Sequence, residues 1–80
     1  MKKRVNMDDN ENYYVQISGT GTFLCGFFCL NQIMKETEKY GSDHYIEARI
    51  VDENGNYSDP VAFRDENGWT LLGNDVEVIS

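Results

Sequence analysis

Thr22-Phe23-Leu24-Cys25-Gly26-Phe27-Phe28-Cys29-Leu30, running on through Asn31-Gln32-Ile33-Met34-Lys35-Glu36-Thr37-Glu38-Lys39-Tyr40-Gly41, is the stretch on which the fold turns. Read as one helix, it takes Thr22 as N-cap and Gly41 as the residue just past its C-terminus. Phe23, Phe27, Leu30 and Met34 then form one apolar stripe, flanked by Ile33 and Thr37. Lys35 and Lys39 suit the negative end of its macrodipole. Against a helix stand Gly26 and the shortage of strong helix formers between Phe23 and Cys29. Read as a strand, the same residues follow a hairpin whose loop is Gly19-Thr20-Gly21. The balance favours the long helix over 22–40, and residues 30–40 are helical under either reading.

Outward from that stretch the pattern is simpler. Residues 13–18 alternate with period two, Tyr13, Val15 and Ile17 on one side and Tyr14, Gln16 and Ser18 on the other, as a half-buried strand does. Residues 1–12 are polar and mixed in charge, and are expected to form a flexible or partly ordered arm to a single domain spanning 13–80. From His44 onward the chain reads as an antiparallel meander. His44, Ile46, Ala48 and Ile50 alternate with Tyr45, Glu47, Arg49 and Val51. Asp52-Glu53-Asn54-Gly55 turns the chain, Val61 and Phe63 continue inside, and Asp65-Glu66-Asn67-Gly68 turns it again. Trp69 and Leu71 lead the next strand, Gly73-Asn74 makes another turn, and Val76 and Val78 sit on a last one. The two Asp-Glu-Asn-Gly copies reuse one turn chemistry, since their flanks do not match. Pro60 has no N–H to give, which places its strand at an edge or at a strand start.

These elements give an α+β chain: a small two-layer sandwich, with one helix packed on an antiparallel sheet of four to five short strands. The expected inner face is Tyr13, Val15, Ile17, Ile46, Ala48, Ile50, Val61, Phe63, Trp69, Leu71, Val76 and Val78. Tyr14, Gln16, Tyr45, Glu47, Arg49, Ala62, Arg64, Thr70 and Glu77 would lie on the far face.

The charge is segregated. Residues 1–40 balance five Lys or Arg against five acids, whereas residues 41–80 set Arg49 and Arg64 against nine acids, so the whole net charge of −7 lies in the second half. Such a field favours a basic partner. It disfavours direct nucleic-acid binding, because only Lys2, Lys3 and Arg4 cluster. Eighty residues allow one domain with a modest core. Two cysteines, Cys25 and Cys29, do not make a disulfide scaffold. They are expected to be buried free thiols, which fits a reducing cytoplasm. The apolar run Phe23–Leu30 is too short to span a bilayer and comes too late for a signal peptide.

No motif carries strong catalytic chemistry. Ser18-Gly19-Thr20-Gly21-Thr22 lacks the lysine of a phosphate-binding loop and reads as a turn. Asp52, Asn54 and Asn56 fall on the first calcium-loop offsets, but Tyr57 stands where the glycine belongs and Phe63 where a bidentate glutamate should close the site. His44 has no nucleophile with it. The chain is therefore expected to need no cofactor or metal and to be no enzyme. Short, acidic and without a catalytic set, it resembles in size and charge the small inhibitor proteins of phages and mobile elements, anti-CRISPR proteins among them. That resemblance implies a non-enzymatic interaction protein occupying a basic, nucleic-acid-binding surface of a larger protein, with no membrane partner. Carboxylates would stand in for phosphates, and tyrosines would anchor. The expected contacts are Asp52, Glu53, Tyr57, Asp59, Asp65 and Glu66. The alternatives are a self-associating structural module, a homodimer through the far sheet face or the Phe23–Leu30 segment, and a small ligand-binding or enzyme subunit.

Overall fold

The computed structural model describes residues 3–72 and 76–79. The chain is α+β. Strands β1 (Lys3–Asn6), β2 (Glu11–Ile17) and β3 (Thr22–Phe28) precede the single helix among the described residues, α1 (Leu30–Glu36). Strands β4 (Ile46–Ile50), β5 (Ala62–Asp65), β6 (Gly68–Leu71) and β7 (Val76–Ile79) follow. Five strands form one antiparallel sheet in the order β3-β2-β4-β5-β6, and β1 pairs with β7 in a separate parallel ladder.

The decisive stretch is a strand followed by a short helix, and the long helix over 22–40 is not formed. β3 runs back along β2 without a break in register, from Ile17 opposite Thr22 to Glu11 opposite Phe28. Gly19 and Gly21 take positive φ angles of 80° and 71° in the connecting loop, where a Cβ would be strained. Thr20 braces that loop, donating its hydroxyl to Ile17 O and accepting from Thr22 N–H. Seven residue pairs with β2 thus outweigh the apolar i,i+4 stripe. The helix begins only at Leu30, with Cys29 as N-cap: its sulfur accepts the Gln32 N–H at 3.4 Å. It stops at Thr37, whose hydroxyl bonds back to Ile33 O and Met34 O. Residues 37–40 are turns rather than helix.

Tyr13, Val15 and Ile17 of β2 and Ile46, Ala48 and Ile50 of β4 form the centre of the core, joined by Leu30 and Ile33 of α1 and by Val5 and Val76 of the parallel pair. The inner face of β5 is the reverse of that expected. Ala62 pairs with Ala48 and Arg64 with Ile46, so these two point inward and are buried, while Phe63 pairs with Glu47 on the outer face. Val61, before the strand, is buried as well. Two consecutive inward residues shift the phase, which period-two counting from Val61 misses. Trp69 opposite Arg64 and Leu71 opposite Ala62 keep the expected phase, although Leu71 is exposed at the edge strand. Val76 and Val78 do not extend the meander; they pair with Lys3 and Val5 instead. The expected Gly73-Asn74 turn lies outside the described residues.

Burying Arg64 requires an account of its charge. Its guanidinium donates to four backbone carbonyls, those of Thr37, Tyr40, Gly41 and His44, at 2.5 to 3.2 Å. A positive group thus closes the carbonyl end of α1 and the turns after it. The same interaction ties the helix exit to strand β5.

Candidate functional site

The two Asp-Glu-Asn-Gly segments are built alike. Asp52 Oδ1 accepts the N–H groups of Asn54 and Asn56, and Asp65 Oδ1 accepts that of Asn67. Each motif ends on a glycine with positive φ, Gly55 at 82° and Gly68 at 105°. The leading aspartate is therefore the turn's own anchor. The Asn56 N–H, and with it those of Asn54 and Gly55, holds the Asp52 carboxyl below the usual carboxylate range. That work inside the loop accounts for Asp52 and Asn56, which a calcium loop would turn toward an ion.

The six expected contact residues do not come together. Because β4 and β5 are antiparallel with Ile46 opposite Arg64, Asp65 is level with the start of β4 and Asp52 lies beyond its end. Seven residues of extended chain separate the two levels, roughly 23 Å. Asp52, Glu53, Tyr57 and Asp59 share one end of the sheet; Asp65 and Glu66 occupy the other.

The first end has the richer geometry. Val51 and Tyr57 form an antiparallel bridge that closes the loop at its base. Ser58 holds the loop to β4, donating N–H to Ile50 O and accepting Ile50 N–H on its hydroxyl. Arg49 reinforces it by donating to Ser58 O. Tyr57 stacks on Tyr14 at 4.9 Å between centroids, and Tyr14 stacks in turn on Phe23 at 5.5 Å. Beside the loop lies an open cleft of about 570 Å³, reached by Lys3, Glu11, Phe27, Asp52, Glu53 and Tyr57.

The carboxylates differ in how far they are neutralised. Glu11 is bound by Lys3 at 2.8 Å, Glu47 by Arg49 and Glu77 by Arg4. Among the described residues no ion pair reaches Asp52, Glu53, Asp59, Asp65 or Glu66. Arg64, which counts against the acids in the sequence, spends its charge in the interior and offsets little at the surface.

Several surface residues escaped the sequence reading. Phe23 and Phe27, expected in a helix stripe, are 58% and 74% exposed on the outer face of β3. Phe63, expected in the core, stacks on Tyr45 at 5.7 Å on the same face of the sheet. Cys25 is exposed between the two phenylalanines and Cys29 is half-buried as a helix cap, so neither is a buried core thiol. Their signal was present only in the register: each is opposite a polar or outward residue of its neighbour strand, Phe27 opposite Asn12 and Phe23 opposite Gln16. His44 places Nδ1 3.0 Å from Ser18 O, which ties the approach to β4, two residues before the strand, to the β2–β3 loop.

Among the described residues no cluster of three metal-ligating side chains occurs, and no helix is long and apolar enough to cross a membrane. No family model, no curated protein and no solved structure matches this chain.

Proposed function

We propose that this chain is a non-enzymatic, acidic interaction protein that docks the 52–59 loop on a cationic surface of a larger protein. The surface it fits is one that otherwise holds nucleic acid, which makes the chain an inhibitor by occupancy, of the phage or mobile-element kind. The carrying observation is the set of carboxylates Glu53, Asp59 and Asp52, which no ion pair reaches among the described residues, beside the exposed aromatic rings of Tyr57 and Phe27. Charge without a local counter-ion is available to steer and register a partner, and an adjacent aromatic supplies the desolvated anchor. The contact set accordingly narrows to the 52–59 end, and Asp65 and Glu66 become a separate acidic end. In this reading α1 covers the inner sheet face as one layer of a two-layer sandwich, which keeps the loop free. Free thiols at Cys25 and Cys29 suit action in a reducing cytoplasm.

The test is capture from host lysate on immobilised protein, comparing the native chain with a Glu53→Lys/Asp59→Lys variant, followed by elution with added nucleic acid. Asp52 is left in place because it holds the loop. A protein that binds the native chain, is lost from the variant, and is displaced by nucleic acid supports the reading. Capture indifferent to the double substitution and to competitor refutes it.

A further inference from the structure

Strand β3 is an edge of the five-stranded sheet, seven residues long, and contains no Lys, Arg, Asp, Glu or Pro. Edges of this kind are what soluble proteins usually blunt with charge or proline, because their open backbone groups template pairing with another strand. The other edge, β6, has four residues and follows Asp65 and Glu66.

The ladder shows which β3 groups are open. Val51 N–H donates to Asn12 O, so Asn12, Tyr14 and Gln16 direct their backbone groups to β4. Tyr13, Val15 and Ile17 then address β3, where they meet Gly26, Leu24 and Thr22. The alternate residues Phe23, Cys25 and Phe27 direct N–H and C=O away from the sheet, and among the described residues no backbone bond reaches them.

We propose that two copies of this chain join through β3, antiparallel about a two-fold axis at Cys25, into one continuous sheet. In that register Cys25 faces Cys25 of the second copy, and Phe23 faces its Phe27. The outer-face sequence Phe-Cys-Phe is the same read in either direction, so each phenylalanine meets a phenylalanine across the axis, and the contacts are reciprocal as in an isologous interface. All three open residues on each strand exchange both of their backbone bonds in this register; a shift of two residues leaves one of the three without a mate. Leu24 and Gly26 meet across the inner side, where the small glycine leaves room for the leucine. Both strands are neutral, so pairing brings no like charges face to face despite a net charge of −7 on each chain.

With roughly 200 Å² per aromatic side chain, the exposures of Phe23 and Phe27, 58% and 74%, leave about 260 Å² of aromatic surface per copy on the edge strand itself. The edge backbone and neighbouring side chains supply the remainder of the interface, which falls in the small class below ~1,200 Å² total.

The inference does not rest on the acidic-loop reading; Phe27 belongs to both surfaces, lining the cleft beside that loop, so the test avoids it. Sedimentation velocity on the purified chain across micromolar concentrations is compared with a Cys25→Lys variant. The substitution sets two ammonium groups opposite each other at the axis, yet Cys25 is exposed and its backbone groups take no part in the β2–β3 ladder, so the monomer's sheet is retained. The native chain is expected to dimerise, and the variant to be monomeric or at least tenfold weaker, with unchanged circular dichroism. A second arm treats a Cys29→Ser chain with a short bis-maleimide. Covalent dimer is expected, and it is lost on adding Cys25→Ser. A native chain that stays monomeric at about 100 μM overturns the proposal. So does a dimer that survives Cys25→Lys, or one that the reagent fails to trap through Cys25. Should Cys25→Lys misfold, the crosslinking arm decides alone.

Discussion

Arg64 is the residue on which the inner structure depends most. It serves four carbonyls from one side chain, and its Nε has no partner among the described residues. Arg64→Met should lower unfolding free energy by about 3 kcal/mol in urea titration, because it strands buried carbonyls that the guanidinium now satisfies. Arg64→Lys should recover only part, since one ammonium cannot replace a planar fork. Tyr13 is the opposite case. It is fully buried, and among the described residues its hydroxyl has no hydrogen-bond partner. Burial first, and the nearby Glu11 charge second, push its ionisation far above the ordinary tyrosine range. Tyr13→Phe should therefore be neutral or stabilising by about 1 kcal/mol. The pH consequence has a definite sign: the folded chain holds Tyr13 neutral where the unfolded chain ionises it. Stability is full below the unfolded value of about 10 and falls as pH rises above it. Thermal melts from pH 8 to 11 should show that slope, and Tyr13→Phe should flatten it.

At the scale of elements, strand β2, the inner residues of β4 and both Asp-Glu-Asn-Gly turns were legible from alternation and turn chemistry. β3 was not, because both its faces are apolar. Phe23, Phe27 and Leu30 satisfy a helical stripe as well as they satisfy a strand face. The arbiter is a partner strand eleven residues back, which no local window contains. The helix start was hidden for a related reason: cysteine is a weak hydrogen-bond acceptor and an unusual N-cap, so Thr22 looked the better candidate. Replacing the Cys29 sulfur with oxygen should improve the cap, and Cys29→Ser should stabilise the chain by about 0.5 kcal/mol, read as a shift of the urea midpoint without change of slope. The candidate site was legible in composition but not in placement. Carboxylates announce themselves in a sequence, while the antiparallel pairing that sends one turn to each end of the sheet does not.

For the whole molecule, two acidic ends roughly 23 Å apart along the strands exceed a screening length of about 8 Å at physiological salt. Each end therefore acts on its own surroundings. Under the proposed function, Glu53→Lys/Asp59→Lys should weaken partner binding about tenfold or more, while Glu66→Lys, which leaves the turn anchor Asp65 in place, should change it by no more than about twofold; biolayer interferometry at two salt concentrations separates them. The parallel pair sets a second molecular property. Val5 and Val76 belong to the common core although they come from opposite ends of the chain. Deleting residues 1–6 should cost about 2 kcal/mol through loss of the buried Val5 and exposure of Val76, measurable in the same urea titrations.

That closure has a timing consequence. The five-stranded sheet is complete in sequence by Leu71, yet Lys3–Asn6, which precedes it, must wait for Val76–Ile79, which follows it. On the ribosome β1 is made before the sheet and finds its mate after it, so a nascent chain stalled before residue 76 would present Val5 and the flank of the core to solvent, and to any chaperone waiting there.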